Sequence, residues 1–325
     1  MKRDIKVKFV DFWPNYDPKE HFLYQALEKK YNVILSDEPD YLFFSVHGNE
    51  HLKYQCIKIF YTGENLCPDF NLCDYAIGFE YIDYQDRYLR LPNYYNPKYY
   101  NDFKLMEQKF KFKKADLNKK EGFCSFVYSN GNADIIREKI FDMLNNYKKV
   151  GSGGKFKNNV GGPVTNKIEF QKKYKFCIAF ENSCHPGYTT EKIVQAYASN
   201  AIPIYWGDPL ISKVFNDKSF ININDFATIE DAIDYIKKVD CDDELYLKIM
   251  KEKPLLNTED RIEAKMEELN IFLYNIVEQS KDDAKRFNRV YWGQNYIVEH
   301  IKWKNAYDSK MFVRVKKILK KLKRK

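Results

Sequence analysis

The densest group of side chains able to do chemistry lies in residues 180–193, FENSCHPGYTTEKI. An apolar run precedes this segment and an amphipathic pattern follows it, which predicts that it joins a buried strand to a helix. Thr189 or Thr190 can cap that helix, and Glu191 in the first turn suits the helix dipole. Lys192 does not suit it, because a cation at a helix N-terminus is unfavourable unless an anion lies nearby. A diphosphate bound at the helix N-terminus would supply that anion.

Strand and helix patterns alternate along most of the chain and must position this segment. In the first part, strands are predicted over residues 5–12, 32–35, 41–45, 57–61, 75–77 and 88–91, with a helix over 21–31. In the second part, strands are predicted over 124–128, 176–180, 202–206 and 219–223, and helices over 133–147, 190–199 and 229–239. Repeated strand–helix–strand units predict parallel sheets with right-handed crossovers. We therefore expect the loops after Tyr128, Phe180 and Trp206 to line one crevice, outside the carboxyl ends of their strands.

The two alternating regions are separated by residues 93–120, which lack a strong hydrophobic period and include the run KFKFKKADLNKK. A chain of 325 residues is long enough for two domains with a cleft between them. We predict an N-terminal domain over residues 1–117, a C-terminal domain with a helical extension over 118–306, and a tail over 307–325. The glycine-rich run at 151–162 is predicted to be a flexible connection.

The net charge of +8 is concentrated in the tail, because the last sixteen residues contain nine basic side chains and no acidic ones. Apolar residues recur there at helical spacing, which predicts a basic amphipathic helix over Lys310–Lys325. Such a helix can lie on an anionic membrane surface. A solvated basic tail and a nucleic-acid-binding tail are the alternatives. Without the tail the chain is close to neutral, which argues against nucleic acid as a partner.

Several classes of protein are disfavoured by what the sequence lacks. It contains neither an apolar stretch of about 20 residues nor a signal-peptide core, so we expect neither secretion nor a spanning helix. Its seven cysteines form no CxxC pair, which indicates reduced thiols in a cytosolic compartment and no metal site. We expect the protein in the cytoplasm, peripherally attached to the inner face of the cytoplasmic membrane. Dinucleotide and P-loop fingerprints are also missing.

The longer segment FENSCHPGYTTEKIVQAYASNAIPIYWG resembles the donor-binding signature of the α-1,3/1,4-fucosyltransferases of glycosyltransferase family 10, in particular the bacterial members. FVYSN with the later Arg137 resembles the segment that opens the donor domain of that family. FYTGEN and DYAIGFEYID resemble its acceptor-domain motif. Two departures stand out: Cys184-His185-Pro186 replaces a small or glycine-containing stretch, and one additional residue precedes Arg137.

The resemblance implies the GT-B fold, in which two Rossmann-like domains face each other and the C-terminal one binds the donor. It implies inverting, metal-independent transfer of L-fucose from GDP-β-L-fucose to a glycan hydroxyl, with no cofactor. The expected acceptor is the 3-OH of GlcNAc in N-acetyllactosamine-type or O-antigen glycans, on an oligosaccharide or a glycolipid. Carried over by motif position, the site comprises one general base and five donor-binding residues: Glu64, and Arg137, Asn182, Tyr188, Glu191 and Lys192.

These roles suit the residue types. Inverting transfer needs a carboxylate opposite the leaving group to take the acceptor's proton, and Glu64 follows a predicted strand. Departure of GDP places negative charge on the β-phosphate, which Arg137 and Lys192 can neutralise without a divalent ion. The residues alone favour a different interpretation, with Glu64 as an exposed turn carboxylate and Arg137 as a surface ion-pair partner. The assigned roles therefore depend on the resemblance.

Two other functions stay open at this point. The first is a transferase of the same fold that uses another GDP-sugar or another acceptor hydroxyl. The second is a non-catalytic, membrane-associated glycan-binding protein. That protein is expected to have lost the base or the phosphate-binding side chains, whereas Glu64, Glu191 and Lys192 are all present.

Overall fold

The computed structural model describes residues 2–287, 290–307 and 309. The chain forms two compact units. The first contains the chain up to residue 77, residues 83–89 and the described residues from 270 onward, and the second contains residues 78–82 and 90–269. None of the helices within the described ranges is both long enough and apolar enough to cross a membrane.

The first sheet has six strands in the order β2-β1-β3-β4-β5-β6. They are β1 (Asp4–Val10), β2 (Asn32–Leu35), β3 (Tyr41–Phe44), β4 (Ile57–Tyr61), β5 (Tyr75–Gly78) and β6 (Tyr88–Arg90), with helix α1 (Phe22–Lys30) between β1 and β2. The strands β1 to β5 pair in parallel. Both faces of β3 and β4 are buried, which explains their continuous apolar runs. The predicted strands and the predicted helix are confirmed, with ends that differ by one or two residues.

Two short helices, α2 (Tyr100–Met106) and α3 (Lys114–Leu117), lead to the second sheet. That sheet has the order β11-β10-β9-β7-β8, and its strands pair in parallel. The strands are β7 (Gly122–Phe126), β8 (Val150–Ser152), β9 (Tyr174–Phe180), β10 (Ile202–Trp206) and β11 (Ile221–Asn222). The helices from this region onward are α4 (Ile136–Tyr147), α5 (Lys167–Gln171), α6 (Glu191–Ala198), α7 (Ile229–Cys241), α8 (Asp243–Lys251), α9 (Ile262–Glu278), α10 (Lys281–Ala284) and α11 (Tyr291–Tyr307).

The core of the second unit lies between its sheet and the helices α4, α7 and α8. Phe126, Ile178 and Ile204 of the sheet are fully or almost fully buried, together with Leu144 of α4 and Ile236 of α7. Burial of side chains of this size contributes about 1.5–3 kcal/mol each relative to exposure. This packing fixes the strand ends from which the candidate site is built.

The division into units differs from the predicted boundaries at residues 117 and 306. Residues 90–117 belong to the second unit, since the Asp102 carboxylate accepts a hydrogen bond from Gln195 of α6 at 3.1 Å. Lys109 is fully buried there and donates to the Ile249 carbonyl at 2.8 Å. The chain after residue 270 belongs to the first unit, in which the Phe287 backbone N–H donates to Asp74 at 3.1 Å. These long-range contacts leave no periodic signal in the sequence.

The glycine-rich run is held by hydrogen bonds, so the predicted flexible connection is wrong. Its first residues form β8, and the Gly153 N–H donates to the Phe126 carbonyl at 2.9 Å. Gly154 lies very close to the backbone of the loop that follows β7. A Cβ atom on residue 154 would be 1.9 Å from the Tyr128 carbonyl oxygen. Glycine is required there for close approach of two backbones. The predicted basic helix over Lys310–Lys325 lies outside the described residues.

Candidate active site

Three loops of the second unit meet at the carboxyl edge of its sheet, as predicted for the loops after Tyr128, Phe180 and Trp206. The Arg137 guanidinium, which follows β7, donates to the Glu181 carbonyl at 2.8 Å. The Glu181 backbone N–H, after β9, donates to the Trp206 carbonyl at 2.9 Å. Connections at both sides of β9 therefore fix the loop that carries most of the predicted site residues.

The centre of this arrangement is the carboxylate of Glu181, which is fully buried. Its Oε1 accepts a hydrogen bond from the Thr190 backbone N–H at 2.7 Å. Its Oε2 accepts from the Thr190 hydroxyl at 2.7 Å and from the Lys192 ammonium at 2.8 Å. A buried charge with this many partners is stabilised against the cost of leaving water. Glu181 thus ties the end of β9 to the N-terminus of α6.

The anion that Lys192 requires is part of the protein, which corrects the expectation that a bound diphosphate would have to supply it. Burial favours the neutral amine, but the Glu181 and Glu191 carboxylates together raise the pKa of Lys192 above its ordinary value. The amine also donates to the Thr190 hydroxyl at 2.7 Å. Lys192 is therefore held as a cation at the start of α6 before any ligand binds.

Glu191 is half-buried at the first position of α6. Its Oε2 accepts a hydrogen bond from the Asn93 side-chain amide at 3.2 Å. Burial raises the pKa of this carboxyl, but the nearby Lys192, Lys167 and Lys98 outweigh that effect, so the pKa of Glu191 lies below its usual range. Glu191 is consequently ionised and oriented, and it can accept hydrogen bonds from hydroxyl groups of a ligand.

Arg137 is almost completely buried, at 2% exposure, and is not the surface ion-pair partner that its sequence context favours. Its Nη2 atom donates to the Phe180 and Glu181 carbonyls and, at 2.7 Å, to the Asn182 side-chain oxygen. The guanidinium also stacks over Tyr128 at 4.1 Å from the ring centroid. These contacts hold the loop after β9. The role of Arg137 toward a diphosphate stays a prediction.

Asn182 and Tyr188 lie on the loop that leads to α6. Asn182 is half-buried, and its carbonyl accepts a hydrogen bond from the Asp134 backbone at 2.9 Å. Tyr188 is buried, and its ring packs against Phe79 with centroids 5.1 Å apart. Between them Gly187 adopts a φ of +83°, which side chains other than glycine rarely adopt. Four of the predicted donor-binding residues therefore share one ordered loop and the N-terminus of α6, and Arg137 of α4 is hydrogen-bonded to that loop.

Glu64, the predicted general base, belongs to the first unit and follows β4. It is exposed, and its backbone N–H donates to the Thr62 hydroxyl at 2.9 Å, which closes a local turn. Its carboxylate makes no hydrogen bond or ion pair within the described part of the chain. The structure thus places Glu64 at the carboxyl end of a buried strand with its carboxylate open to solvent.

Sequence reasoning missed several residues that shape the site. The buried Asp208 carboxylate accepts hydrogen bonds from the Gly187 N–H at 2.7 Å and the Thr189 hydroxyl at 3.0 Å. Asn93, which orients Glu191, comes from the region predicted to be a linker. Glu181 could have been found, since an acidic residue directly after an apolar strand and before a helix-capping threonine signals a buried partner. Asp208 and Asn93 have no such signal, because their partners are distant in sequence.

The adjacent Cys184 and His185 do not form a metal-binding cluster with other described residues. Within residues 2–287, 290–307 and 309, no group of three or more histidine, cysteine, aspartate or glutamate side chains is arranged to hold a metal ion. His185 Nε2 instead lies 2.8 Å from Oε1 of Glu80.

Two protein-family models match the chain. Residues 7–97 match the alpha-(1,3)-fucosyltransferase FucT N-terminal domain, and residues 117–286 match the C-terminal domain of glycosyltransferase family 10 (fucosyltransferase). The second match covers more than half of the chain. The chain belongs to glycosyltransferase family 10. All the predicted site residues lie inside the two matched regions of this fucosyltransferase family.

Among curated relatives, the alpha-(1,3)-fucosyltransferase FucT of Helicobacter pylori is 41% identical over 294 residues, which cover 79% of this chain and 61% of that protein. A putative fucosyltransferase, R654 of Acanthamoeba polyphaga mimivirus, is 29% identical over 295 residues, covering 83% of this chain and 47% of that protein. This family member therefore spans roughly half to three-fifths of the length of these two relatives.

A crystal structure of an α1,3-fucosyltransferase with GDP-fucose superimposes on this family member with a TM-score of 0.73 and 35% identity. The match covers 86% of this chain and 92% of that structure. The same enzyme with GDP gives the same TM-score. This likeness confirms the predicted GT-B fold.

Proposed function

We propose that the protein transfers L-fucose from GDP-β-L-fucose to a hydroxyl of a glycan and produces an α-fucoside with inversion at the anomeric carbon. The observation that carries this proposal is the ordered N-terminus of α6, where the buried Glu181 holds Lys192 in place as an ammonium. A helix N-terminus beside a fixed cation is suited to a diphosphate. The family relatives named as fucosyltransferases, and the related structure determined with GDP-fucose, indicate which diphosphate ligand that is.

Lys192 acts on the leaving group in this proposal. As the bond to fucose breaks, negative charge grows on the β-phosphate, and a fixed ammonium stabilises it without reorganisation. The backbone N–H groups at the start of α6 add to this field. Arg137 can also neutralise the diphosphate. Its Nε has no hydrogen-bond partner in the described structure, so this N–H can donate to a phosphate oxygen.

Asn182, Tyr188 and Glu191 hold the nucleotide and the fucose. Glu191 is ionised and offers acceptor oxygens to sugar hydroxyls, while Tyr188 combines an aromatic ring with one polar group. Removing the acceptor leaves the sugar hydroxyl without a hydrogen-bond partner in the complex. The free-energy cost of that unpaired group exceeds the net contribution of the hydrogen bond. These residues therefore set the selectivity for fucose among GDP-sugars.

Glu64 takes the proton of the acceptor hydroxyl as that oxygen attacks the anomeric carbon. The carboxylate is exposed, and no partner within the described structure competes for its lone pairs. A carboxylate with this exposure is open to an acceptor hydroxyl, which a general base for sugar transfer must reach. We propose the 3-OH of GlcNAc in N-acetyllactosamine-type or O-antigen glycans as the acceptor, in keeping with the α1,3 relatives.

The proposed reaction needs no metal ion, because Lys192 and the α6 terminus supply the positive charge that a divalent cation supplies in other glycosyltransferases. Calorimetric titration of GDP and GDP-fucose with EDTA present tests this directly. Wild type should bind both ligands, and Lys192→Met should bind them about 10- to 100-fold more weakly, as expected for a charge-assisted hydrogen bond. Lys155→Met, which removes an exposed lysine of the same unit, is the matched control and should bind as wild type. Equal affinity of the two variants would contradict the role of Lys192.

We also propose that Lys310–Lys325 attaches the protein to the anionic inner surface of the cytoplasmic membrane, which would bring it to lipid-linked acceptors. Each basic residue near such a surface contributes about 1 kcal/mol. The full chain should sediment with vesicles containing phosphatidylserine and remain in solution with phosphatidylcholine alone. A chain that lacks residues 310–325 but still sediments with the anionic vesicles would refute this attachment.

A further inference from the structure

The loop between β9 and α6 carries one member of a side-chain pair that the proposed reaction does not use. His185 Nε2 lies 2.8 Å from Oε1 of Glu80. The histidine side chain is 40% exposed, whereas the glutamate side chain is 13% exposed. Both residues belong to the second unit. A mostly buried carboxylate therefore holds one edge of an imidazole whose other edge is accessible.

The contact with Glu80 determines how the imidazole can be used. An ionised carboxylate only accepts hydrogen bonds, so the Nε2 atom of His185 must carry the hydrogen. In the neutral ring Nδ1 then carries a lone pair. Nδ1 has no hydrogen-bond partner among the described residues. A carboxylate that fixes the tautomer in this way leaves the second nitrogen able to accept a hydrogen bond.

The pair lies beside the residues proposed to hold the donor. The ring of Phe79 contacts His185 edge-on, with centroids 5.8 Å apart, and also contacts Tyr188 at 5.1 Å. The Phe79 carbonyl approaches Gly187 so closely that a Cβ atom there would be 2.7 Å away. The segment 78–82 is thus fastened to the loop that carries Asn182 and Tyr188. His185 has a fixed place on the same loop.

We propose that His185 is a specificity-determining residue that accepts a hydrogen bond from a sugar hydroxyl through Nδ1, and that Glu80 is its positioning residue. The proposal rests on the proposed function, because it assumes that this loop meets a sugar. The hydroxyl belongs either to the fucose of the donor or to the acceptor glycan.

Three variants distinguish the effect of the Nδ1 atom of His185 from that of its aromatic ring. His185→Phe keeps an aromatic ring against Phe79 but removes both nitrogens, and should lower kcat/KM for transfer about tenfold, the usual effect of one lost hydrogen bond to a ligand. His185→Asn places an amide oxygen near the position of Nδ1 and should recover most of that loss. Glu80→Gln, in which the partner is neutral, should lower kcat/KM about threefold. Equal kcat/KM for the Phe and Asn variants would overturn the proposal.

Deoxy substrates then locate the hydroxyl, and a merely structural role would not affect this measurement. Wild type and His185→Phe are compared on GDP-fucose analogues and on acceptors that each lack one hydroxyl. The tenfold difference should vanish for one analogue only, and that analogue identifies the donor or the acceptor as the source. A difference that persists for every analogue would overturn the proposal.

GDP binding is measured alongside, so the two proposals can fail separately. If all variants bind GDP equally and kcat/KM for transfer does not depend on the residue at position 185, only the proposed role of His185 is refuted. If wild type does not bind GDP, the proposed function falls, and the role of His185 falls with it.

Discussion

The loops after β4 and β9 both follow buried strands of parallel sheets, yet they are held very differently. After β9, the fully buried Glu181 accepts three hydrogen bonds from the first residues of α6 and its N-cap. After β4, Glu64 is exposed, and its turn is closed by the Thr62 hydroxyl at 2.9 Å from the Glu64 N–H. The first arrangement fixes charge in advance of a ligand, whereas the second leaves a carboxylate available to one. We therefore expect substitutions in the loop after β9 to lower stability first, and substitutions in the loop after β4 to lower activity.

Replacement of Glu64 should give the largest effect, and on activity alone. Glu64→Gln is expected to lower kcat for transfer about 10²- to 10⁴-fold, the usual contribution of a general base. The affinity for GDP-fucose and the melting temperature should stay at wild-type values, because the side chain has no partner within the described structure. Single-turnover kinetics and calorimetry check both parts. Glu38→Gln, at another exposed glutamate of the first unit, is the control and should be fully active.

Replacement of Glu181 should show the opposite pattern, with stability lost first. Glu181→Ala leaves the Lys192 ammonium and the Thr190 N–H without their buried partner, which should lower the free energy of unfolding by about 3–5 kcal/mol. Urea unfolding of the second unit measures this value. Glu121→Ala removes an exposed carboxylate 3.3 Å from Lys173, and should cost less than about 1 kcal/mol. Similar losses for the two variants would contradict the account of the β9 loop.

A second buried lysine sharpens the comparison, because no carboxylate among the described residues forms an ion pair with it. Lys109 donates to the carbonyls of Ile249 and Met250 at the end of α8. Burial lowers the pKa of Lys109 to about 7, in contrast to the raised pKa of Lys192. The unfolded chain then binds more protons than the folded one between about pH 7 and pH 10, so stability should rise with pH across that window.

The matched variant for this effect is Lys109→Met, which cannot titrate. The free energy of unfolding of wild type relative to Lys109→Met should increase by about 1–3 kcal/mol from pH 7 to pH 10. Denaturant unfolding at several pH values measures this difference. A difference that is constant with pH would mean that Lys109 keeps an ordinary pKa in the folded protein.

An effect of similar size concerns the loop conformation before α6. Gly187→Ala places a side chain at a φ of +83° with its Cβ atom 2.7 Å from the Phe79 carbonyl oxygen. Backbone strain of this kind costs about 1–3 kcal/mol. Thermal unfolding should show a lower melting temperature, and GDP affinity should fall with it. Gly161→Ala also has a positive φ but meets no atom within 4 Å, so it should cost less.

The sequence allowed a good prediction of the parts of the fold that have local patterns. The alternation of apolar strands with amphipathic helices located the strands of both sheets except β8, whose residues Val150–Ser152 lie in a glycine-rich run. The boundaries of the units could not be predicted, since the contacts of Lys109 with the end of α8 and of Phe287 with Asp74 join residues far apart in the chain.

The site was predicted where residue type and position agree. Lys192 was found because a cation at a helix start requires an explanation, and Glu191 was assigned through the resemblance. That explanation was incomplete, because the anion beside Lys192 is Glu181 itself. Arg137 could not be distinguished from a surface residue by pattern, since its burial depends on Tyr128 and on the end of β9.

The central claim is that the chain uses GDP-fucose to fucosylate a glycan without a metal ion. Purified protein is incubated with GDP-fucose, N-acetyllactosamine and EDTA, and the product is examined by NMR. The account predicts fucose in α linkage on the 3-OH of GlcNAc, at a rate that EDTA does not change. Unconsumed GDP-fucose, or a product formed only when a divalent cation is restored, would contradict it.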